Sequence, residues 1–118
     1  MCTVLVDGVP RLACLTLAVQ VGGGSVETVE GLAMNAALGA LQVAFKGQHA
    51  LQCGYCTPGF LMALTALFRR QPDATDAAIR EAIDGVICRC TGYLPILQAA
   101  ISVRDQLRAG ITTADCPS

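Results

Sequence analysis

The spacing of apolar residues changes character near residue 31. Ahead of it, Thr3-Val4-Leu5-Val6, the turn pair Asp7-Gly8, and the β-branched and apolar run from Leu12 to Val21 predict strands joined as a hairpin. Gly22-Gly23-Gly24-Ser25 reads as a turn, and Ser25 to Val29 as one more short strand, ended by Glu30-Gly31-Leu32. A hairpin is marginal alone in water, so this segment must pack on the rest of the chain or on a partner. After Gly31 the period is helical. Leu38, Leu41 and Phe45 share a stripe within Ala37 to Ala50. Phe60, Leu61, Leu64, Leu67 and Phe68 do so within Pro58 to Arg70. Ile79, Ile83, Val86 and Ile87 line Thr75 to Ile87, with Thr75 as the expected cap, and Ile96, Leu97, Ala100, Ile101 and Leu107 line Pro95 to Leu107. The expected fold is mainly α, a four-helix bundle preceded by a small β segment. The polar tail 111–118 is expected to be loose.

Composition narrows the function classes. With 118 residues, 53% hydrophobic and 14% charged, the chain suits one compact domain or two very small ones. Mean hydropathy is high, +0.54. The longest apolar stretch, Phe60 to Phe68, is nevertheless roughly half of the ~20 residues a membrane span needs. A formal charge of -1, with no run of Lys or Arg, argues against nucleic acid as a partner. MCTVLVDGVP lacks a basic segment followed by an apolar one, so a cytoplasmic location is expected. Nothing in the sequence resembles a nucleophile–base pair, a phosphate-binding glycine loop or a carboxylate dyad. His49 reads as a surface or capping group, and Arg69-Arg70 as complements to a helix dipole.

Seven cysteines alter the picture. Their odd number excludes complete pairing into disulfides within one chain. Cys53-Gly54-Tyr55-Cys56 and Cys88-Arg89-Cys90 form two close pairs with 31 residues between them. Each short spacing aims two sulfurs into one small space, and four thiolates suit a tetrahedral sulfur site. Each pair precedes a helix entry, Thr57-Pro58 and Thr91-Gly92-Tyr93-Leu94-Pro95, where Thr can cap and Pro suits the first turn. A [2Fe-2S] centre on four thiolates carries a charge of about -2 oxidised and -3 reduced, which helix N-termini and Arg89 would offset. Structural zinc fits the same ligand count, and inert buried thiols or disulfide exchange are further alternatives.

At these residues the chain resembles the small iron–sulfur subunit of the molybdenum hydroxylases, the family of xanthine dehydrogenase, aldehyde oxidoreductase and aerobic carbon monoxide dehydrogenase. Ala50-Leu51-Gln52-Cys53-Gly54-Tyr55-Cys56-Thr57-Pro58-Gly59 and Cys88-Arg89-Cys90-Thr91-Gly92-Tyr93 carry the resemblance. It implies that Cys53, Cys56, Cys88 and Cys90 bind one [2Fe-2S] cluster. It further implies that Gln52 and Cys90 lie against the pterin of a molybdenum cofactor held by a large subunit. Electrons would then pass toward FAD on a medium subunit or toward another acceptor. Cys2-Thr3-Val4-Leu5-Val6-Asp7-Gly8 and Ala13-Cys14-Leu15 resemble the end of a plant-type ferredoxin domain of β-grasp fold. Cys2 and Cys14 would be the third and fourth ligands of a second cluster whose first two are not in the chain. The division expected from this resemblance is a truncated β-grasp remnant over 1–30, a helical cluster-binding domain over 31–110 and a tail over 111–118. A truncated, non-functional fragment and a four-cysteine zinc module are the alternative readings.

Overall fold

The computed structural model describes residues 2–32 and 36–110, leaving out the side chains of 36–38. The Leu38 side chain and the tail with Cys116 therefore lie outside the described residues. Strands β1 (Thr3–Val6) and β2 (Val9–Leu12) pair antiparallel, with Thr3 opposite Leu12 and Val6 opposite Val9. The two-residue connection is Asp7-Gly8, both at positive φ (51° and 82°), the conformation that matches strand twist in the tightest hairpins. On the other side of β1 lies β3 (Val26–Glu27), also antiparallel, giving the order β2-β1-β3.

The expected strand from Leu12 to Val21 ends at Leu12. A 3-10 turn follows over Ala13–Leu15, and then a single helical turn, α1 (Ala18–Val21). Two side chains take over the backbone groups that a strand ladder would have used. The Thr16 hydroxyl donates to the Leu12 carbonyl at 2.9 Å, and the Leu17 N–H donates to the Gln20 side-chain oxygen at 2.8 Å. Leu15, Leu17 and Val19 are exposed, so no core face rewards an extended register here. The glycine turn has a steric requirement at Gly24. A Cβ there would meet Asp7 Oδ2 at 2.6 Å, and that carboxylate accepts the Ser25 N–H at 2.8 Å.

The helices are α2 (Val29–Leu32), α3 (Ala36–Gly47), α4 (Thr57–Arg70), α5 (Asp76–Ile83) and α6 (Leu94–Arg108). Helix α3 packs on α6, while α4 packs on α5 and β1. Leu41 and Phe45, Phe60 and Leu64, Ile79, and Ile96 and Val103 close one core, which also takes in Leu5 of β1. The hairpin is thus anchored on α4, as its marginal stability requires. Fully burying each large apolar side chain of this core contributes about 1.5–3 kcal/mol.

Thr75 caps α5, accepting the Ala78 N–H at 3.2 Å, as expected. The expected extension of α5 to Ile87 does not form. The helix stops at Ile83, Val86 still reaches the core, and Ile87 is 76% exposed. Gly85 weakens helical continuation, and the departing chain is what brings Cys88 to its site.

Arg104 on α6 was hidden in the sequence pattern. It is only 7% exposed, and its guanidinium donates to the Ala74 carbonyl and to the carboxylates of Asp76 and Asp105. Those partners hold it charged, raising its pKa further. Arg69 likewise does more than face a dipole, forming a two-pronged pair with Glu27 of β3 at 2.7 and 2.9 Å. Among the described residues, no helix is long and apolar enough to cross a membrane.

Candidate metal centre

Cys56 is the N-cap residue of α4, and Cys53 sits three residues ahead of it at the end of a loop. Gly54 between them has φ 81°, a left-handed conformation that lets the loop reverse, and the Tyr55 N–H points at the Cys53 sulfur at 3.5 Å. The second pair lies between α5 and α6. Cys88 is buried and Cys90 exposed, the same inner and outer arrangement as Cys56 and Cys53.

The local chain around Cys88 is heavily hydrogen-bonded. Its sulfur contacts the Thr91 hydroxyl at 3.0 Å and accepts the Thr91 N–H at 3.4 Å, and its own N–H donates to the Tyr93 hydroxyl at 3.0 Å. Neither threonine serves as the expected helix cap. Thr91 binds Cys88 and accepts the Tyr93 N–H at 3.2 Å. Thr57 lies inside the first turn of α4, its Oγ1 buried and without a hydrogen-bond partner. Tyr93 is the N-cap of α6 at φ 73°, a strained position for a residue with a Cβ. Its ring stands edge-on to Phe60, with centroids 6.3 Å apart, and its hydroxyl holds Cys88, so packing and hydrogen bonding both select the strained conformer. Sequence reasoning did not assign Tyr93 this role. Its position three residues after a CxC was the available signal.

Electrostatics separate the inner thiols. Burial, then hydrogen bonding to Cys88, pushes the Cys56 thiol up to about 11. Burial acts against the Cys88 thiolate as well. There the hydrogen bonds from Thr91 and from the Cys90 backbone outweigh it and bring Cys88 down to about 7. Hydrogen bonding with Cys53 raises Cys90. By ligand count, four cysteine sulfurs suit a [2Fe-2S] centre or one tetrahedral ion.

A cavity of about 110 Å³ is lined by all four cysteines together with Gln52 and Arg89. Gln52, Arg89, Cys53 and Cys90 face solvent. Tyr55 and Ile87, which also line the cavity, are 74 and 76% exposed. His49 is exposed at the end of α3 and is not among the residues of this cavity.

The other predicted pair is also brought together. Cys2 and Cys14 lie with sulfurs 3.2 Å apart, Cys14 exposed. Hydrogen bonds from the Cys14 backbone and thiol hold Cys2 below the ordinary value, and the thiol bond to Cys2 raises Cys14. No cysteine of the four-sulfur cavity belongs to this pair.

The family model for the [2Fe-2S] binding domain matches residues 28–101, the segment that carries both motifs. The chain belongs to this family. Its relatives bear out the resemblance to small iron–sulfur subunits of xanthine dehydrogenase-type molybdenum hydroxylases. The nicotine 6-hydroxylase small subunit of Paenarthrobacter nicotinovorans is 49% identical over 106 residues, covering 90% of this chain and 64% of that protein. The xanthine dehydrogenase iron-sulfur-binding subunit of Escherichia coli is 42% identical over 102 residues, covering 85% and 64%. This chain therefore spans less than two thirds of the length of these relatives. Among solved structures, quinoline 2-oxidoreductase from Pseudomonas putida superposes with a TM-score of 0.80 at 46% identity, covering 92% of this chain and 68% of that one. The aldehyde oxidoreductase from Desulfovibrio desulfuricans reaches 0.83 at 34% identity, covering 97% of this chain and 13% of its own. The fold shared with these structures is a small domain of helices with a three-stranded antiparallel sheet.

Proposed function

We propose that this chain is an electron-transfer iron–sulfur subunit of a molybdenum hydroxylase, with Cys53, Cys56, Cys88 and Cys90 as the ligands of one [2Fe-2S] cluster. The single cavity lined by all four cysteines, drawn from two motifs with 31 residues between them, carries this reading. Bound there, the cluster supplies a one-electron redox couple. The chain performs no bond chemistry. Its residues shape the site: Thr91 donates to the Cys88 sulfur and favours its thiolate, which is the ligand form, and Tyr93 fixes the Cys88 backbone. The first-turn N–H groups of α4 and α6 and the Arg89 guanidinium offset negative charge at the cavity.

The proposed partner at the open side is the molybdopterin-binding large subunit, with Gln52 and Cys90 against the pterin. The exposed apolar side chains of Tyr55 and Ile87 at the cavity support docking there, since exposed apolar side chains beside a polar site mark interaction surfaces. Beyond the chain, FAD on a medium subunit or another acceptor takes the electrons, in a cytoplasmic complex. Within the chain we propose that 31–110 form the cluster-binding unit and 1–30 a β-grasp-derived flank, with Cys2 and Cys14 as a partial second site.

Purified chain tests the metal assignment. A brown protein with about two irons and two sulfides, bleaching on dithionite reduction and then paramagnetic, is expected. A colourless protein with about one zinc overturns it. Co-expression with the candidate large subunit tests the docking face. Ile87→Lys should leave the visible spectrum intact and abolish co-purification, and unchanged co-purification would place the partner elsewhere.

A further inference from the structure

Given the four cysteines as ligands of one [2Fe-2S] cluster, the reading on which this rests, we propose that the Thr91 hydroxyl sets the centre's reduction potential, raising it through a hydrogen bond to the Cys88 sulfur. Cys88 is buried, and two groups of one residue reach its sulfur, the Thr91 hydroxyl at 3.0 Å and the Thr91 N–H at 3.4 Å. A sulfur bound to metal is a thiolate with no proton to give, so at the centre the hydroxyl is the donor. The backbone fixes which way that hydroxyl points. The Tyr93 N–H donates to Thr91 Oγ1 at 3.2 Å, which occupies a lone pair and leaves the one hydroxyl proton for the sulfur. Dipoles thus run in series from the N-cap of α6 through Thr91 to Cys88, each hydrogen bond polarising the next.

The other sulfurs are supported differently. Cys53 receives the Tyr55 N–H at 3.5 Å, and the hydroxyl of Thr57, the residue after Cys56, has no hydrogen-bond partner. Among the described residues, Thr91 is the one whose hydroxyl reaches a sulfur of the four. Reduction brings in one electron from the reductant and turns one ferric iron ferrous, with no bond made or broken and no proton moved. The charge of the centre goes from about -2 to about -3. A donor held against a sulfur stabilises the more negative state by more, and burial of Cys88 keeps water from screening that difference. Removing the hydroxyl therefore lowers the potential.

Thr91→Val keeps the branched shape and the N–H and removes the hydroxyl, while Thr91→Ser keeps the hydroxyl. Dithionite titration of the iron-loaded full chains against redox dyes, followed by visible bleaching and the reduced-state paramagnetic signal, reads each midpoint. At the potential that half reduces the parent, the ratio of reduced to oxidised centre in Thr91→Val should fall about fivefold, a midpoint about 40 mV more negative. Thr91→Ser should stay within about twofold of the parent, with about two irons per chain in all three proteins. An unchanged midpoint in iron-replete Thr91→Val overturns the proposal. An equal drop in Thr91→Ser also overturns it, assigning the effect to the lost methyl group. Where Thr91→Val loses iron, Thr91→Ala is read in its place, and loss of iron from both overturns the proposal in favour of a folding role. Failure of the cluster reading shows separately, as a parent chain that neither bleaches nor becomes paramagnetic, and it removes this proposal as well.

Discussion

The two cysteine regions are built on opposite physical terms. Cys56 and Cys88 are buried, sit beside helix N-termini and lean on the main core through Tyr93 and Phe60. Cys2 and Cys14 lie at the open end of a hairpin, next to exposed Leu12 and Leu15. In the first region, position is imposed by tertiary packing; burial raises the Cys56 thiol while hydrogen bonds lower that of Cys88. In the second it follows from local register. A site that must hold a charged group in a fixed place draws on the first kind of support.

The sharpest test of that difference is ligand removal. Cys53→Ser or Cys88→Ser should reduce bound iron from about two per chain to near zero, while Cys2→Ser leaves it unchanged, as measured by iron analysis and the reduced-state paramagnetic signal. Equal losses from both regions would erase the distinction. Next comes the support behind each site. Phe60→Ala opens a cavity at a fully buried position and should cost about 3–5 kcal/mol, whereas Leu15→Ala, at 78% exposure, should stay within about 0.5 kcal/mol in chemical denaturation.

A smaller effect isolates the polar contact at Cys88. Tyr93→Phe keeps the edge-on ring and removes the hydroxyl that accepts the Cys88 N–H. It should cost about 1–3 kcal/mol by denaturation, with a measurable change in the centre's reduction potential. A shift in stability alone would make Tyr93 purely structural.

The smallest expected effect concerns the tie between sheet and helices. Arg69 holds the Glu27 carboxyl below its ordinary value of 4.5. Because the folded value is the lower one, this contribution is full above the unfolded pKa and disappears as pH falls through the folded value. Both side chains are about one-third exposed, so Glu27→Gln should lower stability at neutral pH by roughly 0.2–1 kcal/mol, and the gap from the parent chain should close in acid. A gap independent of pH would show that the pair contributes packing and not charge.

Much of the site was legible because its signals are local. CxxC and CxC are short spacings, each adjacent to a helix start, and Thr75 announced its own cap. The misreadings share a cause. Leu12 to Val21 has strand composition, but side-chain bonds from Thr16 and Gln20 and the lack of a buried face turn it into 3-10 and helical turns. Ile87 fits the apolar period of α5 and yet faces solvent, because the helix ends at Ile83.

By itself the sequence determined the two cysteine pairs, the periods of the long helices and the hairpin turn, since each depends on residues within a few positions of one another. Tertiary structure alone decided that Cys56 and Cys88 line one cavity, that Arg69 reaches Glu27 across 42 positions, and that Arg104 is buried against Ala74 and Asp76. Such contacts depend on how helices stack, and stacking is chosen by the summed burial of a shared core, which no local spacing encodes.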